Sequence, residues 1–304
     1  MEALIPEIKE ISDYVSATQL VTYSDVAGAT MFVYDYFLTL GMEVDLVWSS
    51  NWSLMNVLFI AQRYLPFLDA AVLCFLPQFS TTIAPSHCRI LGIIRGLLMV
   101  TGIGLSELIL TLRAWAVWDR NGRLGAALSV FFCATVAASF VVMTIFLLGL
   151  EFSNKPYPSF QGCFITSSNQ LVYINWVILM IYEAVLLMLM LIRGIAAYRW
   201  GGRSALHRVV YGEGIAFYIC IFVLSTLNVV VLNTLSANYL DFLSSVERCL
   251  HSILTSRVLL HIRVCIRRNV EFPAWSGDMT KIETRIRFAD GDRGSGNNGV
   301  VGRC

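Results

Sequence analysis

Apolar residues in this chain fall in long uninterrupted blocks, and the charged residues gather between the blocks. Seven blocks stand out, at about 22–41, 53–75, 90–112, 124–149, 171–192, 209–235 and 240–262. A hydrocarbon core of about 30 Å takes about 20 helical residues at 1.5 Å each, and every block reaches that length. The pattern predicts an all-α fold, an integral membrane bundle of seven transmembrane helices. A short acidic tail at 1–21 precedes the bundle, and a basic, largely disordered tail at 263–304 follows it.

Composition sharpens this picture. Hydrophobic residues make up 57% and charged residues 14%, against about 25% charged in soluble domains. The net charge of +1 matters less than where the cations sit. Arg113, Arg120 and Arg123 follow the third block, and Arg193, Arg199, Arg203 and Arg208 follow the fifth. Arg263, Arg267, Arg268 and others follow the seventh, while the opposite side offers only Lys9, Arg89 and Lys155. Basic residues stay with the cytoplasm, which predicts the N-terminus outside and the C-terminus inside. The 42–52 connection, with Glu43 and Asp45 and no cation, is the one neutral loop. The plasma membrane is the expected location.

On this topology Cys88 and Cys163 are the two cysteines placed at the outer side, where disulfides persist. A bridge between them would tie the 150–170 loop across the mouth of the bundle. That arrangement resembles the tie between the third helix and the second outer loop of G-protein-coupled receptors. Other receptor marks are missing. Arg113 stands at the inner end of the third block between Trp115 and Trp118 and the apolar span, without an acid-Arg-aromatic triplet. It reads either as a snorkelling cation at the headgroups or as a coupling residue. The same coupling role extends to Arg120, Arg123, Arg199 and Arg203 on the inner loops. Retinal held as a Schiff base is excluded, because Lys9, Lys155 and Lys281 all lie outside the blocks.

Charges inside the blocks must be paired or functional, at about 2.5–3.5 kcal/mol per central charge. Depth along the membrane normal suggests two ionic clusters, an outer Asp25–Asp69–Arg95 and an inner Asp35–Arg63–Glu107. They read as structural pairs, or as an ion path. The seventh block is the most polar. Asp241, Glu247, Arg248 and His251 share one side of a helical wheel and predict a polar cavity, with Arg95 and Asp69 opposite. The same helix could instead lie in the interface, leaving six spans.

The segments Tyr34-Asp35-Tyr36-Phe37-Leu38-Thr39-Leu40, Glu43-Val44, Trp48, Trp52-Ser53, Leu58-Phe59 and Arg63-Tyr64-Leu65-Pro66 carry a family likeness. They resemble the N-terminal domain of unknown function in a large group of basidiomycete fungal membrane proteins. Leu112–Trp118 and His251–Leu260 resemble the same group. The chain departs from it at Asn56, where the resemblance implies a lysine. It implies seven spans and an orphan receptor-like label, with no activity.

No Gly-x-Ser-x-Gly, His-Glu-x-x-His or phosphate-binding loop is present, so no enzyme is expected. Neither a cofactor, a metal nor nucleic acid is expected. The partners implied are the lipid bilayer, an unknown ligand at the outer mouth and a cytosolic signalling protein. Transport of a solute or ion through the charged interior is the alternative.

Overall fold

A computed structural model of the chain describes residues 4–50, 52–69, 85–153, 164–167, 171–199, 205–234 and 242–271. Seven α-helices appear among them. They are α1 (Leu4–Glu43), α2 (Leu54–Leu68), α3 (Pro85–Val117), α4 (Gly122–Leu148), α5 (Val172–Arg199), α6 (Ala205–Thr234) and α7 (Ser244–Glu271). Each overlaps one apolar block. Four of them, α3 to α6, are long and apolar enough to cross a membrane. The protein is therefore membrane-embedded. α2 is shorter, and α7 is too polar to meet that measure.

Local sequence explains the breaks. Ser53 caps α2, its hydroxyl accepting from the Asn56 amide, and Asn121 caps α4 by accepting from the Arg123 and Leu124 amides. Between α3 and α4 the chain reverses through Asp119 and Arg120, both at positive φ, 54° and 53°. α1 ends in a widened π-type turn at Val44–Trp48.

Two features add to the sequence expectation. The 1–21 segment is helical from Leu4, because nothing after Pro6 breaks it and a proline in the first turn interrupts no hydrogen bond. The hydroxyls of Ser16, Thr18 and Thr22 bond back to carbonyls one turn earlier. An antiparallel hairpin also forms, β1 (Glu151–Ser153) with β2 (Phe164–Ser167), pairing Ser153 with Phe164. These strands are too short to show period-two alternation in the sequence. The hairpin packs against α3 and marks one end of the bundle.

The bundle carries its polarity inward. Tyr34, Phe37, Val130, Val141, Leu148 and Leu227 are exposed, while Glu43, Gln62, Ser106, Glu183, Ser225 and His251 are buried. In water this would be costly on both counts. In lipid it is the expected arrangement. α3 and α7 are the central helices: α3 packs on α2, α4, α5 and α7, and α7 on α1, α2, α3 and α6.

Candidate functional site

The most polar part of the interior lies where α3, α5, α6 and α7 meet. Glu247 and His251 sit one turn apart on α7 and so share a face. His251 is fully buried among three carboxylates. Its Nε2 lies 3.2 Å from Glu183 Oε1 and 4.0 Å from Glu247 Oε1, and its Nδ1 lies 3.6 Å from Glu107 Oε1. From α6, Ser225 Oγ is 2.8 Å from Glu183 Oε1 and 2.6 Å from Glu247 Oε1. Asn228, one turn further along α6, donates its amide to Glu247 Oε2. Glu107, Glu183 and His251 together are donors of the kinds that hold a metal ion, one ligand atom from each lying within 4.8 Å of the others. The adjacent Arg248 turns away. Its guanidinium lies so close to Gly102 that a Cβ there would be 1.9 Å from Nη2.

On the hairpin side of Glu107, a cavity of about 60 Å³ opens between α3, α4 and α5. Ile103, Val136, Met143 and Leu179 make apolar walls, and Thr135, Asn175 and Trp176 add polar groups. Trp176 is buried, yet among the described residues its Nε1–H and the Asn175 Oδ1 have no hydrogen-bond partner. On the other side of Glu107 a chain of contacts runs toward the α3–α4 turn. Thr111 Oγ1 donates to the Glu107 carbonyl or to Tyr182, each 2.6 Å away. Tyr218 donates to the Leu110 carbonyl at 2.8 Å. The Arg113 guanidinium lies 5.7 Å above the Tyr218 ring, with Gly214 leaving space for it: a Cβ there would be 2.2 Å from Nη2.

A second polar cluster locks α1 to α2. Arg63 Nε is 2.6 Å from Glu43 Oε2, and the guanidinium also donates to Thr39 Oγ1 and to the Tyr36 carbonyl. Trp48 and Tyr64 donate to the other Glu43 oxygen at 3.1 and 3.0 Å. Hence Tyr36, Glu43, Trp48, Arg63 and Tyr64, which carry the family likeness in the sequence, meet in one place. Asn56 accepts from Arg263. A lysine at that position would set two cations against each other.

Placement of the other sequence candidates is mixed. In the outer cluster Arg95 pairs with Asp25 at 3.4 Å and donates to Ser245, and Asp69 interacts electrostatically with Arg248, Arg95 and Asp25. The inner cluster is corrected. Asp35 pairs with Arg257 at 2.5 Å, Arg63 with Glu43, and Glu107 with His251. Depth alone could not separate these, because pairing also depends on the direction each side chain takes around its helix. Arg113 does not reach headgroups: it is only 8% exposed. Arg120 and Arg123 are exposed on the α3–α4 turn, and Arg199 ends α5. Arg203, Asp241 and Cys163 lie outside the described residues. Cys88 is disulfide-bonded. Glu183 went unnoticed in the sequence although it is the one charged residue in the 171–192 block; Ser225 and Asn228, three apart in the next block, would have given its counterpart.

No curated protein matches the chain. Residues 23–68, which contain α1 from its middle onward, the π-type turn and α2, match a family of unknown function (DUF6533) and so form an N-terminal domain of unknown function.

Proposed function

We propose that the protein is a seven-span, receptor-like sensor of the plasma membrane, with its N-terminus outside, of the kind found in basidiomycete fungi. The observation that carries this reading is the cavity between α3, α4 and α5, whose apolar walls surround an unpartnered indole N–H and an unpartnered amide oxygen. A buried donor and acceptor left unsatisfied each cost about 1–3 kcal/mol, which a ligand supplying both partners would recover. A hydroxyl does so, accepting from Trp176 and donating to Asn175. The ligand class is thus a small, mostly apolar alcohol. Occupancy would favour one packing of α3 against α5 and α6, and the Thr111–Tyr182–Tyr218–Arg113 contacts extend that packing toward the inner loops.

Photolabelling tests this directly. A diazirine analogue of butanol, applied to the purified protein in nanodiscs, should label α4 and α5 near Met143 and Trp176, in competition with unlabelled 1-butanol. Trp176→Phe should remove the competed fraction. Labelling spread over outward residues such as Val130 and Val141, without competition, would refute the reading.

The buried charges favour a second reading, solute or ion transport. It requires flux in proteoliposomes that neutralising Arg63 or Asp69 abolishes. The receptor reading instead requires a cytosolic partner recovered on the 113–123 and 193–208 loops.

A further inference from the structure

We infer that Glu107, Glu183 and His251, with Glu247 beside them, bind one divalent first-row transition-metal ion of the zinc type. The inference does not rest on the alcohol reading: it stands on the Glu107, Glu183 and His251 set and not on Trp176 or Asn175.

Charge is the first argument. Three carboxylates face one imidazole in an interior walled by apolar helices, and the guanidinium of Arg248, next to Glu247 in the chain, packs on Gly102 instead. Stripping several ionised groups of water costs several kcal/mol each unless a counter-charge sits among them. A divalent cation bound by two or three carboxylates and a neutral imidazole supplies that charge.

Geometry is the second. At 3.2 Å, Nε2 and Glu183 Oε1 are close enough to bond, yet among the described residues neither ring nitrogen has a hydrogen-bond partner, nor has either Glu107 oxygen or Glu183 Oε2. All three side chains are at least nine-tenths buried. One ligand atom from each lies within 4.8 Å of the others. Zinc–nitrogen and zinc–oxygen bonds of about 2.0–2.2 Å set tetrahedral ligand atoms roughly 3.3–3.6 Å apart, so a set within 4.8 Å needs only rotamer adjustment to close.

The surroundings fit as well. Ser225 lies within hydrogen-bond distance of Glu183 and Glu247 and donates its one proton to either, and Asn228 donates to Glu247, as groups behind metal ligands do. Glu107 lines the cavity, so the set borders open space inside the bundle. A bound ion would tie α3, α5 and α7 together at one depth.

The test uses the full chain in detergent micelles, stripped with EDTA and titrated with Co²⁺. One Co²⁺ per chain should bind, with the visible d–d bands of a four- or five-coordinate site, and Zn²⁺ should displace it. Glu183→Gln and His251→Gln should each weaken binding by about 100-fold, and Ser225→Ala by about 10-fold. Asp35→Asn, whose carboxylate pairs with Arg257 and is not part of the set, should leave it unchanged. Absence of stoichiometric Co²⁺ uptake by the wild-type chain would overturn the proposal whatever the variants do. So would bands that survive Glu183→Gln, or thiolate charge-transfer bands placing the ion on a cysteine.

Discussion

His251 Nε2 on α7 lies 3.2 Å from Glu183 Oε1 on α5, which links two helices that each pack on α3 and α6. The link is made by side chains at the centre of the bundle. Removing the imidazole strands Glu107, Glu183 and Glu247 without their common partner.

His251→Ala should therefore destabilise the protein by about 3–5 kcal/mol, the usual cost of leaving buried charge unpaired. Glu183→Gln keeps an acceptor for Ser225 and sheds one charge, so it should cost about 1 kcal/mol. Unfolding midpoints in an SDS titration report both. Equal effects from the two substitutions would mean that His251 is held by packing and not by charge.

The α1–α2 lock makes a parallel prediction. Arg63 and Glu43 are 2% and 0% exposed, with Trp48, Thr39 and Tyr64 completing the cluster. Arg63→Met should cost about 3–5 kcal/mol, and adding Glu43→Leu should recover part of that. A double mutant as unstable as the sum of the singles would deny the coupling.

Gly102 separates two kinds of glycine. Gly102→Ala drives a methyl into the buried Arg248 guanidinium and should cost about 1–3 kcal/mol. Gly41→Ala on α1 meets nothing within 4 Å and should stabilise by about 0.5–1 kcal/mol through helix propensity. Thermal unfolding of the two variants should shift in opposite directions.

How far the sequence carried is clear from these residues. Helix positions were legible because apolar blocks of bilayer length have few other uses. The polar side of α7 was legible too, since Glu247, Arg248 and His251 share its wheel. Their partners were not. Depth placed Asp35, Arg63 and Glu107 together, but each turns to a different neighbour: Arg257, Glu43 and His251. Such choices depend on helix rotation and on which helices touch, and neither is encoded in spacing along one chain. Glu183 was hidden by the apolar run around it.

The disulfide gives a chemical check. Cys88 is bonded, and Cys163 immediately precedes β2, whose partner strand packs on the same helix that carries Cys88. Peptide mapping without reduction should recover a Cys88–Cys163 crosslinked pair. Cys163→Ser should leave Cys88 open to alkylation. A map joining Cys88 to any other cysteine would remove the strap from the mouth of the bundle.

Membrane topology underlies the sensor reading, the cavity mouth and the inner coupling loops alike. Tagging both termini and treating intact cells with an impermeant protease measures it. The account predicts loss of the N-terminal tag and survival of the C-terminal tag until the cells are permeabilised. Both tags cut, both protected, or the reverse pattern would contradict it.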